Sequence, residues 1–217
     1  MTDMTADRPS RGPWPALAMA ALLALAPLAD SRAESRTMPP AARADIARVE
    51  AYLNNIRTMK SRFVQVAPNG GVAEGTIYLQ RPGKMRVEYD PPVQDILVAT
   101  GRVLIHYDGE LSQPSYLPQS SSPAAFLLRE RVTLSGDVTV TGVERRGNQL
   151  LIDVVQTDEA GKGTLHLVFT DDPLALRQWV VTDAAGKKTE VTLVEPAFNI
   201  AIDPVKFLFE TPAPRQR

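Results

Sequence analysis

The first clear pattern along the chain is a helical one, within residues 42–59. Apolar residues recur there at intervals of three or four, as in the stripe of an amphipathic helix, while charged and polar residues occupy the rest of the wheel. The apolar positions are Ile46, Val49, Leu53 and Ile56. The pattern predicts a helix whose apolar side covers another apolar surface.

Beyond this helix the period changes from helical to alternating, and Gly, Pro, Asp and Asn separate the short segments. Such alternation predicts strands joined by tight turns, mostly in antiparallel order. The predicted strands lie near residues 62–66, 75–80, 84–89, 94–99, 103–107, 111–116, 138–144, 150–156, 164–169, 176–181 and 189–194.

The hairpin within residues 75–92 has a register that the sequence can decide. A two-residue turn at Pro82 and Gly83 would place charged and apolar side chains on the same face. An odd-length turn centred on Pro82 instead separates them, and we predict this register. One face then carries Ile77, Leu79, Met85, Val87 and Tyr89. The other face, which we expect to be wet, carries Thr76, Tyr78, Arg86, Glu88 and Asp90.

Arg81 falls at the tip of this hairpin, at the rim of the one-sided apolar surface. Single exposed charges at turns are common, so a solvated turn arginine is the simplest interpretation. A specific role requires more than its position in the hairpin.

The segment "SSPAAFLLRER" interrupts the series of strands. Ser122 is a candidate N-cap and Pro123 suits the first helical position, and the apolar residues Phe126, Leu127 and Leu128 follow. This composition predicts a second, short apolar helix that lies across the sheet.

Together these elements predict a mostly β protein with two helices. We favour an open, curved antiparallel sheet or partial barrel over a two-sheet sandwich. Strands such as 164–169, with Leu165, Leu167 and Phe169 on one face, need a cover that the helices supply.

The N-terminal region resembles a secretory signal peptide. An uncharged apolar run, "ALAMAALLALAPLA", follows Arg8 and Arg11, and Ser31 and Ala33 provide small residues for cleavage. The run is short for a membrane span, although a membrane anchor is the alternative because Asp3 and Asp7 weaken the positive start. We expect export, with a signal peptide at 1–33 and a linker at 34–40.

Composition narrows the possible roles. The 217 residues are 44% hydrophobic and 23% charged with a net charge of -1, which gives no electrostatic basis for binding nucleic acid. The chain contains no cysteine, so an exported form has neither disulfides nor a lipid-modified N-terminal cysteine.

Catalytic and metal-binding patterns are weak. His106 and His166 are the only histidines, each lies in a strand-like run, and neither has a cluster of carboxylates in sequence. His106 near Asp108 is the best candidate for an enzyme acting on lipid, but no nucleophile is evident. We therefore predict no enzymatic activity, no cofactor and no metal.

Several stretches, taken in order, resemble the LolA family of periplasmic carriers of outer-membrane lipoproteins. They are "TMKSRFVQ", "EGTIYLQRPGKMRVEYDPP", "DILVATGRVLIHYD", "SPAAFLL", "VVTDAAGKKTEVTL" and "FLFETP". The resemblance runs from about residue 46 to residue 212.

This resemblance implies an unclosed antiparallel β-barrel of roughly eleven strands, with helices that form a lid over an apolar cavity. It implies a monomeric periplasmic chaperone that takes lipoproteins from an inner-membrane releasing transporter and hands them to an outer-membrane receptor. That receptor is itself a lipoprotein, so the absence of cysteine favours the carrier. The implied cavity residues are Ile77, Leu79, Met85, Val87, Tyr89, Leu165, Leu167 and Phe169, and the implied lid residues are Phe126, Leu127 and Leu128.

Arg81 matches the family's arginine in the Arg-Pro hairpin. The resemblance implies that it donates hydrogen bonds to backbone carbonyls of the lid and latches the empty cavity. A guanidinium suits this role because it offers several donors in one plane.

An envelope-stress regulatory or lipid-binding module of the same fold is the alternative function, since such regulators carry a similar domain. The predicted carrier domain covers residues 41–212 and is followed by a disordered tail at 213–217.

Overall fold

The computed structural model describes residues 38–121 and 125–211. The predicted signal peptide, most of the predicted linker, Ser122, Pro123 and the predicted tail lie outside these residues. Within the described residues, no helix has the length and apolar character needed to cross a membrane.

In the described part of the chain, one α-helix, α1 (Pro40–Asn55), precedes the sheet. Proline suits the first helical position because its backbone angle is already helical. It has no backbone N–H, but an N–H at this position would have no partner within the helix. The helix therefore begins at the last residue of the predicted linker. Val49, Leu53 and the C-cap residue Ile56 are buried, as the apolar stripe predicts.

Eleven antiparallel strands form one sheet in the order β6-β5-β4-β3-β2-β1-β11-β10-β9-β8-β7. The edges β6 and β7 do not pair, so the sheet is unclosed and the predicted fold class is confirmed. The strands are β1 (Thr58–Val66), β2 (Val72–Gln80), β3 (Lys84–Tyr89), β4 (Ile96–Thr100), β5 (Val103–Asp108), β6 (Gln113–Pro118), β7 (Val138–Arg146), β8 (Gln149–Gln156), β9 (Gly163–Thr170), β10 (Ala175–Asp183) and β11 (Lys188–Phe198).

The predicted β2–β3 register is confirmed. Leu79 pairs with Met85 and Ile77 pairs with Val87 across a three-residue turn that contains Arg81. Several predicted strand starts differ by two or more residues: β1 begins at Thr58 rather than 62, β2 at Val72 rather than 75, β4 at Ile96 rather than 94, and β6 at Gln113 rather than 111. The Asp108 carboxylate accepts from the backbone N–H groups of residues 110 and 111, which holds those residues in the turn.

The predicted second helix forms only a 3-10 turn at Ala125–Leu128. Its carbonyls have partners elsewhere: the Leu127 oxygen accepts from the Arg81 side chain and the Leu128 oxygen accepts from the Gly83 N–H. The N–H of Val132, which in an α-helix would donate to the Leu128 carbonyl, donates instead to the Asn54 side chain.

The outer face of β2 and β3 is half-buried rather than wet, which corrects the expectation for Thr76, Tyr78, Arg86, Glu88 and Asp90. A C-terminal segment with a 3-10 turn at Pro204–Phe207 lies against this face. Arg86 donates to the Leu208 carbonyl at 3.2 Å and Lys206 contacts Glu88 at 3.2 Å. Phe207 is buried in this segment.

The main core lies on the opposite face, between the sheet, α1 and the irregular segment after β6. It includes Val49, Leu53, Ile77, Leu79, Val87, Leu127, Leu128, Val132, Leu134, Leu165, Leu167 and Phe169. This arrangement places the cover of the sheet next to the β2–β3 turn and Arg81.

Candidate functional site

An apolar cavity of about 100 Å³ lies between the sheet and its cover. Strands β1 to β5 and β10 supply the sheet side, and α1 with the 3-10 turn supplies the cover. We call α1 together with residues 125–134 the lid. The cavity is lined by Leu53, Ile56, Met59, Ile77, Leu79, Arg81, Met85, Leu97, Leu104, Gln119, Ala125, Leu127, Leu128, Leu176 and Trp179.

Arg81 is buried at one end of this cavity, with 8% of its surface exposed. Its Nε donates to the Leu127 carbonyl at 2.8 Å, and its Nη1 donates to the Leu53 carbonyl in the last turn of α1. The interpretation of a solvated turn arginine is therefore wrong. One guanidinium joins both parts of the lid to the β2–β3 turn.

The charge of Arg81 has an unusual environment. Within the described residues no carboxylate forms an ion pair with it, and its acceptors are neutral backbone carbonyls. Burial, and to a lesser extent the nearby charge of Arg57, lowers the pKa of Arg81 to about 10. The guanidinium still carries its proton at neutral pH, so it remains a donor.

The β2–β3 turn makes a second contact with the lid. The Gly83 N–H donates to the Leu128 carbonyl at 2.6 Å. Gly83 has φ +77°, and a Cβ there would lie 2.6 Å from the Gly101 Cα in the β4–β5 turn. Glycine is required at this position by both its backbone angle and the close approach of the two turns.

Within the lid, side chains of α1 hold the irregular segment. The Asn54 amide donates to the Val132 carbonyl and accepts from the Val132 N–H, both at 2.8 Å. Glu50 accepts from the Leu134 N–H at 2.6 Å. Residues 132–134 are therefore bound to α1 by hydrogen bonds to its side chains, in place of the backbone hydrogen bonds that a neighbouring strand would provide.

The first half of α1 is held by charge pairs. Arg145 on β7 donates from Nε to the buried Asp45 at 3.0 Å and from Nη1 to Asp171 at 2.6 Å. Arg48 also pairs with Asp171. The hydrogen bond from Arg48, together with the charges of Arg48 and Arg145, lowers the pKa of Asp171.

Most of the predicted site residues divide into two groups. The cavity is lined by Ile77, Leu79, Met85, Arg81, Leu127 and Leu128. Val87, Leu165, Leu167, Phe169 and Tyr89 belong to the same core region but do not line it. Phe126 lies in the 3-10 turn. Contact between these residues and an acyl chain stays a prediction.

Sequence reasoning missed several lining residues, including Met59, Trp179 and Gln119. Strand parity could have found Met59, because it pairs with Leu79 across β1 and β2. Gln119 follows an edge strand and carries no local pattern that indicates a cavity position.

The two histidines form isolated pairs with carboxylates. His106 Nε2 lies 3.0 Å from Asp95 Oδ2, and His166 Nδ1 contacts Asp153. Asp95, rather than the predicted Asp108, is the partner of His106. In the described part of the chain, no three His, Cys, Asp or Glu residues are grouped so that they could hold a metal ion.

Sequence comparisons with known proteins identify one family. The family model described as "Outer membrane lipoprotein carrier protein LolA" matches residues 54–210. The protein named "Outer-membrane lipoprotein carrier protein" from Chromobacterium violaceum is 28% identical over 181 residues, which are 80% of this chain and 86% of that protein. A protein of the same name from Pseudomonas aeruginosa is 29% identical over 181 residues, which are 78% and 85% of the two chains.

A crystal structure of a LolA superfamily protein from Nitrosomonas europaea has a TM-score of 0.42 at 11% identity and covers 74% of this chain and 96% of that chain. The family match itself extends over 157 residues, more than half of the chain, and includes all eleven strands. The chain therefore belongs to the LolA family of outer-membrane lipoprotein carrier proteins.

Proposed function

We propose that this protein is a periplasmic carrier that shields the acyl chains of lipoproteins between the inner and outer membranes. The predicted signal peptide at 1–33 supports export. Membership of the LolA family supports the cargo, since relatives of similar length are named as outer-membrane lipoprotein carriers. The carrier would take its cargo from a releasing transporter in the inner membrane and hand it to an outer-membrane receptor.

One observation carries this proposal: an apolar cavity is closed by a lid that Arg81 holds through backbone carbonyls. The cavity of about 100 Å³ is smaller than ordinary ligand pockets, which have volumes of roughly 300–1,000 Å³. A long acyl chain therefore enters only if the lid moves away from the sheet. The described conformation is therefore the closed one, and Arg81 acts as its latch.

The energies of latch and cargo are comparable, which makes the closure reversible. Hydrogen bonds to a charged group stabilise by roughly 1.5–3 kcal/mol each. Burial of an acyl chain gains about 0.8 kcal/mol per methylene, so burial of several methylenes offsets the loss of the latch. When the chain leaves, the latch bonds form again and help to drive release.

The same arithmetic excludes release of the cargo into water. A chain with many methylenes must pass directly from one apolar site to another of equal or greater affinity. The carrier then needs neither a nucleotide nor a catalytic group, because the transporter and the receptor provide the direction. We propose that it acts as a monomer during both transfers.

A two-stage transfer assay tests this function. The exported protein, purified from the periplasm, is incubated with inner-membrane vesicles that contain the transporter and a labelled lipoprotein, and then with the receptor. We expect soluble carrier–lipoprotein complexes in the first stage, detectable by native mass spectrometry, and their loss in the second. A protein that never acquires lipoprotein or lipid would contradict the proposal.

Depletion in the cell separates the carrier from the regulatory alternative. Loss of a carrier leaves lipoproteins at the inner membrane. Loss of an envelope-stress regulator changes transcription while the sorting of lipoproteins continues, and this result would replace the proposed function.

A further inference from the structure

Two polar residues lie in the wall of the otherwise apolar cavity, and both are deeply buried. Arg81 is 8% exposed and Gln119 is 9% exposed, whereas the other lining side chains are aliphatic or belong to methionine and tryptophan. Burial of polar groups in apolar surroundings is unfavourable unless hydrogen bonds compensate for it. Both residues therefore require partners, either within the protein or from a ligand.

Gln119 is held in a fixed position by half of its side-chain amide. Its backbone N–H donates to the Arg102 carbonyl at 3.0 Å, and its Oε1 accepts from the Gly101 N–H at 3.0 Å. Both bonds attach it to the β4–β5 turn. No acceptor for its Nε2 group is found among residues 38–121 and 125–211, and the side chain lines both the cavity and the polar surface groove beside it.

The positions of Arg81 and Gln119 are linked through two turns that touch. Arg81 lies in the β2–β3 turn, Gln119 is bonded to the β4–β5 turn, and Gly83 approaches Gly101 so closely that a Cβ would be 2.6 Å from its Cα. These two turns lie at the same end of the sheet because each follows an even-numbered strand of a meander. The polar residues of the cavity are therefore concentrated at one end.

The partners of Arg81 indicate which chemical groups can bind at this end of the cavity. In the closed state the guanidinium donates to two neutral carbonyl oxygens, those of Leu53 and Leu127. When the lid moves, these acceptors leave, and a buried cation without acceptors is costly. The ester and amide carbonyls at the head of an acyl chain are acceptors of the same kind, so one of them can replace one of the two carbonyls of the lid, and closure still regains the other.

We propose that Arg81 and Gln119 form a binding site for the ester or amide carbonyl oxygens at the head of a bound acyl chain. This inference rests on the proposed carrier function. It also fixes the orientation of the cargo: the hydrocarbon extends into the apolar part of the cavity. The polypeptide of the lipoprotein leaves the carrier beside the β2–β3 and β4–β5 turns.

The test compares lipids that differ only in their carbonyl groups. The probes are a cysteine lipopeptide with two ester-linked palmitoyl chains, its ether-linked analogue without these carbonyls, and a peptide with one amide-linked palmitoyl chain and its neutral hexadecyl ether analogue, which has oxygen in place of the acylated nitrogen. Affinities are measured by titration of the exported protein. We expect the wild type to bind each carbonyl-bearing probe about three- to tenfold more tightly than its analogue, as one or two hydrogen bonds predict.

Variants of Gln119 assign this preference to the proposed site. Gln119→Met removes donors and acceptor at similar size, and Gln119→Glu keeps the acceptor for the Gly101 N–H while removing the donors. In both variants the ratio of the two affinities within a probe pair should fall towards one. If the melting temperature of Gln119→Glu is unchanged, the loss of the donors, rather than damage to the turn, explains this fall. Gln113→Met, an exposed glutamine on β6, should retain the wild-type preference.

Each outcome has a distinct meaning. A preference for only the ester or only the amide probe supports the site and identifies which carbonyl binds. This inference is overturned if the wild type binds each carbonyl-bearing probe no more tightly than its analogue, in both the ester and the amide pair. It is also overturned if neither Gln119 variant changes the preference. In both cases the carrier function stands. Failure of the wild type to bind any probe contradicts the carrier function itself.

Discussion

The two ends of helix α1 are attached to the sheet by different chemistry. Near its start, the buried Asp45 pairs with Arg145 of β7 in a network that includes Arg48 and Asp171. Near its end, Arg81 donates to the carbonyl of Leu53 and has no carboxylate partner within the described residues.

This difference separates a permanent attachment from a reversible one. Removal of one partner from a network of opposite charges leaves the other charge uncompensated, which is strongly unfavourable when the group is buried. A carbonyl acceptor is neutral, so any other carbonyl can replace it. We infer that lid opening begins at the Arg81 end, while the charge network keeps the first half of α1 in place.

The largest effect on stability should come from removing the fixed attachment. Asp45→Asn keeps the shape of the side chain but removes the charge that Arg145 contacts. We expect the free energy of unfolding to fall by about 2–3 kcal/mol, less than for a fully buried pair because Arg145 is half exposed. Urea unfolding measures this loss.

The control for Asp45→Asn is Glu144→Gln, which breaks an exposed pair with Arg146 on the same strand. An exposed pair contributes roughly 0–1 kcal/mol, so the control should be nearly neutral. Equal losses in the two variants would remove the distinction between a structural network and surface charge.

Gly83→Ala should perturb the reversible end without changing any charge. The new Cβ would meet the Gly101 Cα at 2.6 Å, at a backbone φ of +77° that disfavours alanine. We expect a loss of about 1–3 kcal/mol in unfolding free energy. Amide hydrogen exchange should also become faster at the N–H of residue 83, which donates to Leu128.

Gly147→Ala separates these two causes. Gly147 has φ +58° but no atom within 4 Å of the added Cβ, so this variant reports backbone strain alone. The excess loss in Gly83→Ala measures the close approach of the turns. If Gly147→Ala is equally destabilising, the contact between the turns is unimportant.

Asn54→Asp should weaken the connection between the two parts of the lid. The change keeps the acceptor for the Val132 N–H but removes the donor to the Val132 carbonyl. We expect a loss of about 1 kcal/mol, together with faster hydrogen exchange at Val132 and Leu134. Asn55→Asp, the same change at the exposed neighbour, should leave exchange at these amides as in the wild type.

Acid should weaken the attachment at the Asp45 end of α1 before that at the Arg81 end. In the mildly acidic range this is the smallest of the predicted effects on unfolding free energy. Because the pKa of Asp171 is lowered in the folded protein, its contribution is complete above the ordinary pKa of an aspartate and is lost as pH falls through the folded value. Arg81 does not titrate there. Urea unfolding should show a drop in the free energy of unfolding between neutral and acidic pH. The drop should be smaller in Asp171→Asn and unchanged in the control Asp172→Asn.

The strands could be predicted because alternation is a local property of the sequence. The pairing of Leu79 with Met85 followed from one turn and one apolar face. The family resemblance supplied the expectation that Arg81 donates to carbonyls of the lid. The positions of those carbonyls depend on contacts between residues far apart in the chain, and only the fold shows that Leu53 and Leu127 provide them.

Other features had no signal that sequence reasoning could use. Arg145 reaches Asp45 across 100 residues, and each side chain alone is typical of a solvated surface. The short segment around Leu127 has a helical composition, yet its carbonyls bond to the β2–β3 turn. The side chains on the outer face of β3 are polar, as on a solvent-exposed face. The segment that covers them lies about 120 residues further along the chain, so no local pattern indicates the cover.

The most direct test of the central claim is the two-stage transfer assay on wild type, Arg81→Leu, Arg81→Lys and the control Arg57→Leu. Arg57 is the exposed arginine whose backbone carbonyl accepts from the Arg81 N–H. We expect Arg81→Leu to accept lipoprotein from vesicles but to fail in transfer to the receptor, because release no longer gains the latch bonds. Arg81→Lys should restore little, since one ammonium cannot donate to both carbonyls as a planar guanidinium does. Normal transfer by both Arg81 variants, equal to that of Arg57→Leu, would contradict the account.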